Sequence, residues 1–312
     1  MAEPVHLESA PADTPSTVDK MKARQYHHFK YAVYFFPNDP IEVKRLALQH
    51  HMWVLTLNHT LHLSPLSRPL NVLDIGTGTG NWAIDFAEAY PNAQILGTDL
   101  SPIQPARTPS NCSFKVENSE LPWSHNIKFD FIHSRALVAA LKDWPGFFRQ
   151  CFENSNPGGW VECHEIVPTA LDACCDDGTV KDDHFVIRLT KLMNEAGQKL
   201  GMDMNKTNEL KNMMRHAGFE DVRQVIFKWP WGGWPTDEPL HTLGELFKQN
   251  MLELGGLEVL TVMLFTKALG WPREKMEAFL QEGRESLEDH SQHYYNTVIA
   301  VYGRKPDLDE KK

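Results

Sequence analysis

The sequence predicts an α/β protein with a ligand site at the carboxyl edge of its sheet, and two stretches carry that expectation. Asn71–Trp82 reads Asn-Val-Leu-Asp-Ile-Gly-Thr-Gly-Thr-Gly-Asn-Trp. It is a short β-favouring run, then Gly76, Gly78 and Gly80, then Trp82, Ala83, Phe86 and Ala87 at the spacing of one helix face. Strand, glycine turn and helix open a nucleotide-binding βα unit. Glycines let the backbone approach a ligand, and the helix N-terminus beyond them offers free N–H groups. The second stretch, Ala93–Leu100, is another β-favouring run and carries Asp99 at its carboxyl end, where a carboxylate can accept both hydroxyls of a ribose.

The remaining elements follow in chain order. Residues 1–20 hold Pro, Ser, Thr, Asp and Glu with few large apolar side chains, which predicts a disordered tail. Aromatic residues crowd between Tyr26 and Phe36. Asp39-Pro40, with Glu42 in the first turn, then predicts a helix to about Leu57, so that residues 21–66 form a helical cap segment. The α/β domain is expected over 67–304. Its first strand, with Val72, Leu73 and Ile75, is read as ending at Ile75, the others at about 94–98, 112–116, 129–133, 160–164, 221–228 and 293–302, and its helices at about 81–89 and 145–154. Pro102, Pro105 and Pro109 leave no room for a long second helix. Two insertions stand apart, at about 170–205 and 231–292. The first carries an amphipathic helix, Asp182–Leu200, with Phe185, Leu189, Leu192, Met193 and Ala196 on one face. The second brings apolar residues at mostly helical spacing to where a minimal sheet needs only a hairpin. Both are expected to cover the ligand site. A charged tail follows from Lys305.

Composition narrows the partners. A hydrophobic share of 42% with 23% charged residues suits a globular chain with a sizeable core. A net charge of −10 speaks against a nucleic-acid partner. No apolar run approaches membrane-spanning length, so no membrane association is expected. The five cysteines include no Cys-x-x-Cys pair, which favours a reducing compartment, cytoplasmic or nuclear, over a disulfide framework. No metal is expected. His50 and His51 are helix neighbours that point apart, and the vicinal pair Cys174-Cys175 is a poor zinc site.

Two details separate the glycine loop from a nicotinamide site. The spacing is Gly-x-Gly-x-Gly, and the acid Asp74 precedes the first glycine by two residues. Asp-x-Gly-x-Gly-x-Gly resembles motif I of class I S-adenosylmethionine (SAM) methyltransferases. Further stretches resemble the fungal LaeA-like methyltransferases, a family of secondary-metabolism regulators and tailoring enzymes. They are Tyr34-Phe35-Phe36-Pro37-Asn38-Asp39, Gln49-His50-His51, Asp99-Leu100-Ser101-Pro102-Ile103-Gln104-Pro105, Phe129-Asp130-Phe131-Ile132-His133-Ser134-Arg135 and Pro157-Gly158-Gly159-Trp160-Val161-Glu162. The resemblance covers about Tyr26 to Glu165. One departure is Glu117-Asn118, where the family usually carries two acids. The resemblance implies a Rossmann-like seven-stranded sheet of order 3-2-1-4-5-7-6 with the last strand antiparallel.

It also implies SAM as cofactor and a methyl transfer. Gly76, Thr77, Gly78 and Gly80 are then expected against the methionine and ribose parts, and Asp74 at the methionine amine or the loop. Asp99 is expected at the ribose, Leu100 on the adenine, and Asn118 and Ser119 at its edge, with Tyr34 closing over the cofactor or packing. His133 and Arg135 are expected beside the methyl group. His133 is read as pocket wall or as a base. Glu162, like His164 and Glu165, offers another base or a partner for Arg135. The expected acceptor is a small secondary metabolite, O- or N-nucleophilic. A regulatory methyltransferase acting on or through proteins is the alternative, and the glycine spacing argues against a nicotinamide oxidoreductase. Protein partners and a homodimer are left open.

Overall fold

A computed structural model of the chain describes residues 15–26, 35–167 and 175–307. Alternation along its strands sets the layering. In β1 (Asn71–Ile75) and β4 (Phe129–Arg135), Val72 and Phe131 point to one face and pack with Trp82, Ala83 and Phe86 of α3 (Asn81–Ala89). Leu73, Ile75 and Ile132 point to the other face. There they pack with Phe147 and Phe148 of α4 (Trp144–Asn154) and with Leu210 and Met214 of a later helix, α6 (Leu210–His216). The period of two along each strand thus gives one apolar set to each helical layer.

The sheet is completed by β2 (Gln94–Asp99), β3 (Cys112–Val116), β5 (Ser155–Val167), β6 (Glu220–Pro230) and β7 (Tyr295–Arg304). Its order is β3-β2-β1-β4-β5-β7-β6. The pairs from β3 to β5 are parallel, and β7 runs antiparallel to both β5 and β6. This is the sheet that the resemblance to class I methyltransferases implied. β5 is much longer than Trp160–His164, because β7 supplies it with ladder partners as far as Val167.

The remaining helices gather into one apolar cluster beside the carboxyl ends of β1, β4 and β5. They are α1 (Thr17–Lys22), α2 (Pro40–Thr56), α5 (Phe185–Lys199), α7 (Glu238–Leu252), α8 (Gly256–Ala268) and α9 (Arg273–Glu288). Asp39 starts α2 by accepting from the Ile41 and Glu42 N–H groups, and both its oxygens also accept from Arg24 at 2.6 Å. α8 is buried nearly all round, from Leu257 to Phe265, as a helix without a polar face must be. α1 corrects the expected tail. Ser16 accepts from the Asp19 N–H and caps a helix whose Val18 and Met21 join this cluster, and the Val18 N–H donates to Glu277 of α9. A capping pattern was present inside a segment whose composition suggested disorder. Residues 1–14 and 308–312, most of the expected tails, lie outside the described residues, as do 168–174 in the first insertion.

The seam of this helical layer is tight at Gly283 of α9. A Cβ there would stand 2.6 Å from Phe185 Cζ and 2.7 Å from Leu257 Cδ2. Gly283→Ala is therefore expected to destabilise the protein by about 1–3 kcal/mol through overpacking. A denaturant midpoint equal to wild type would show that α5 and α8 give way freely.

Candidate active site

The glycine loop leaves β1 with positive φ at all three glycines: 66° at Gly76, 56° at Gly78 and 79° at Gly80. A Cβ on Gly76 would sit 2.5 Å from Leu137 Cδ2, and one on Gly80 2.4 Å from Phe114 Cζ. Gly78 differs, because among the described residues a Cβ there would have only Leu46 Cδ1 within contact range, at 3.7 Å. It would project into a cavity of about 250 Å³ that the loop borders. Asp99 holds the loop in place, its carboxylate accepting from the Gly78 N–H at 2.8 Å and the Ser101 N–H at 2.9 Å. Gln104 donates to the Gly78 carbonyl at 2.6 Å. Burial pushes the Asp99 carboxyl up, and the two N–H donors oppose that shift.

Strand register then sets a row of ionisable groups on the α3 face of the sheet. Asp74 of β1 lies beside His133 of β4, and His133 lies beside Glu162 of β5. His164 follows two residues later on the same face. His133 Nδ1 is 2.7 Å from Asp74 Oδ1, and His133 Nε2 is 3.3 Å from His164 Nδ1. His164 Nε2 is 2.7 Å from Glu162 Oε1. Glu162 also accepts from the Leu63 and Ser64 N–H groups and from the Ser64 hydroxyl at 2.6 Å. Both histidines and Glu162 are fully buried, and Asp74 is 2% exposed. Trp82 stacks flat on His133 at 3.7 Å and Trp53 lies over His164 at 5.3 Å.

The charges follow from these contacts. Burial pushes the Asp74 carboxyl up to about 6, against the Thr77 hydroxyl that donates to it at 2.5 Å. Burial also holds His133 well below its usual range, aided by the neighbouring His164 and Arg135. Burial would raise Glu162 too, but His164, Ser64 and Leu63 outweigh it and hold the group at about 2. Glu165 points to the opposite face. It accepts from the Leu137 and Val138 N–H groups, and burial pushes it up to about 8.

The cavity brings together most of the residues singled out in the sequence. Asp74, Gly76, Thr77, Gly78, Asp99, Leu100, Asn118, Ser119, His133 and Arg135 all border it. Gly80 stands back from it as the N-cap of α3. Glu162 does not border it and is committed to the Leu63–Ser64 segment and His164. Tyr34 lies outside the described residues. Asn118 Oδ1 accepts from the Glu120 N–H at 3.0 Å and keeps one lone pair for a ligand.

Arg135 finds its partner on α2, not on β5. Its guanidinium donates to His50 Nδ1 at 3.0 Å, and His50 Nε2 donates to Asp85 at 2.8 Å. His50 therefore orients Arg135. The sequence offered only an unassigned helix histidine at this position. Arg45 and Asn250 also border the cavity and were not anticipated. Arg45 pairs with Glu42 and donates to Asn250, tying α2 to α7.

This sheet with this glycine loop defines a class I methyltransferase. A family model described as a methyltransferase domain matches residues 48–224. The methyltransferase pytC of Aspergillus terreus is 38% identical over 285 residues, which cover 91% of this chain and 86% of that protein. The probable methyltransferase tdiE of Emericella nidulans is 37% identical, covering 85% and 82% of the two chains. The secondary metabolism regulator LAE1 of Cochliobolus heterostrophus is 31% identical, covering 91% and 93%. Among solved structures, the [4+2]-cyclase SpnF shares the fold with a TM-score of 0.50 at 18% identity, over 83% of this chain and 82% of its own. The chain belongs to the fungal LaeA-like family of SAM-dependent methyltransferases. The residues present fit the cofactor. Gly78 leaves open the space that a side chain would fill, and the carboxylates of Asp74, which is buried, and Asp99, which is partly exposed, border that space.

Two outcomes follow. Asp99→Ala is expected to weaken SAM binding by about 1–3 kcal/mol, or roughly 5- to 150-fold, in calorimetry. A folded variant with unchanged affinity would assign the ribose to another acid. The folded state holds Glu162 at about 2, below its ordinary 4.5. Its contribution to stability is therefore present above pH 4.5 and lost as pH falls towards 2. Glu162→Gln should accordingly melt below wild type at neutral pH, with the gap closing in acid. A constant gap would contradict this.

Proposed function

We propose that this protein transfers a methyl group from SAM to a small, largely apolar secondary metabolite bound beneath the helical layer. The observation that carries the reading is the continuity of the cavity. The same cavity is bordered by Asp74 and Asp99 and by Met52, Met193, Trp229, Trp231, Phe247 and Met251. Such walls exclude water and adapt to an apolar ligand. The relatives pytC and tdiE, named as methyltransferases, support it.

SAM supplies a methyl group already activated on a cationic sulfur, so the chain's part is to orient and to dry the site. Asp99 takes the ribose hydroxyls, and the glycine loop that it holds lets the backbone lie against the ribose side. Asp74, stripped of water, faces the methionine ammonium. Arg135, fixed by His50, offers its remaining N–H donors to the methionine carboxylate. Leu100, Asn118 and Ser119 take the adenine. His133 acts as wall and positioning residue, because both its ring nitrogens are engaged by Asp74 and His164. Glu162 acts at a distance, through His164. Cytoplasmic or nuclear residence belongs to the same reading.

A second reading has one observation in its favour. The similarity to LAE1 spans nearly all of both chains, so a regulatory methyltransferase acting on proteins is the competitor. Incubation with methyl-labelled SAM separates the two. Label entering metabolites extracted from a fungal host that lacks the gene, with none entering histone or other host proteins, is the expected result. Label entering protein alone would overturn the reading.

A further inference from the structure

Asp74, His133, His164 and Glu162 form a row whose hydrogen bonds need more protons than the groups carry in their ordinary states. Three hydrogen bonds link the four groups, and each needs one proton. Two neutral imidazoles between two carboxylates supply only two. The row therefore carries one excess proton and a net charge of −1, sealed between the Trp82 and Trp53 rings. The four places for that proton are unequal. Glu162 already accepts from three donors of the Leu63–Ser64 segment, which favours its carboxylate form. At the other end, a cofactor ammonium beside Asp74 favours the carboxylate there.

We propose that His164 carries the excess proton when the cofactor is bound, so that His164 and Glu162 are positioning residues that keep Asp74 ionised for the cofactor. The inference rests on the reading that Asp74 meets the methionine ammonium. In this state His164 donates from both nitrogens, to Glu162 and to His133 Nε2. His133 stays neutral and donates from Nδ1 to Asp74. The Leu63–Ser64 segment becomes part of the cofactor site without touching it, because it holds the far end of the row. Other charged groups face the row from its neighbours. Arg135 of β4 and His50 of α2 face Asp74, with Asp85 of α3 behind His50. Asp99 of β2 feels the like charge of Asp74. His62 faces His133 and Glu162, and it is itself held by the Ser64 carbonyl and the Tyr90 hydroxyl.

Two measurements on the full-length protein test the proposal. The first is long-range 1H–15N spectroscopy with SAM bound at pH 7, with His164 assigned by the loss of its signals in His164→Gln. Two protonated ring nitrogens at His164 and one, Nδ1, at His133 are expected. A neutral His164 would overturn the proposal. The second is the pH dependence of the SAM dissociation constant. In wild type the cofactor shifts the row's proton to His164 and releases none, so affinity should stay level between about pH 8 and pH 6. A folded His164→Gln variant lacks that place for the proton, so Asp74 must give it up on binding and affinity should fall about tenfold for each pH unit below the variant's midpoint. A wild-type affinity that falls with pH as the variant's does would overturn the proposal. A folded Asp74→Asn variant that binds SAM as wild type does would instead overturn the placement of the cofactor at Asp74, whatever the histidine spectra show.

Discussion

Ionisable side chains on three neighbouring strands, β1, β4 and β5, stand in one row on one face of the sheet, out of reach of water. Such groups are tolerated only when every one has a partner. That requirement organises much of what surrounds them. The Leu61–Ser64 segment donates to Glu162, and its Leu61 carbonyl accepts from Trp82 Nε1 at 2.9 Å. Trp82 in turn covers His133. Trp53, near the end of α2, covers His164 and meets Trp229 of β6 edge-on. The helical layer is therefore fastened to the sheet over the same residues that place Asp74 beside the glycine loop. Replacing the row with apolar side chains would remove the electrostatic demand but also the carboxylate that faces the cavity.

The sequence was most legible where local rules and tertiary demands agree. The glycine loop, α3, the strands from β1 to β4 and the Asp39 cap follow from turn chemistry, periodicity and capping, none of which needs a distant partner. Strand ends were less legible. β5 continues to Val167 because β7 pairs with it, and pairing is not written in either strand alone. α1 was hidden by the polar composition around it, although Ser16 and Asp19 formed a local signal.

The candidate site divided along the same line. Asp74, Gly76, Gly78 and Asp99 lie in or just after the motif, and the structure gathers them around one cavity. The partners of His133 and Arg135 depend on register and on helix docking. His50 lies 85 positions from Arg135, and Ser64 lies 98 from Glu162. The sequence grouped Glu162, His164 and Glu165 without assigning them to a face. Only the register between β4 and β5 shows that His164, and not Arg135, closes the row.

The central claim is that one cavity joins the glycine loop to the apolar side chains of α2, α5 and α7, with the cofactor at one end and the methyl acceptor at the other. The most direct test is a crystal structure with S-adenosylhomocysteine bound. The account predicts ribose hydroxyls on Asp99, the ammonium on Asp74, and the sulfur facing an enclosed space lined by Met193, Phe247 and Met251. A sulfur that opens onto a long acidic channel at the surface, or a cofactor seated away from Asp74 and Asp99, would contradict it.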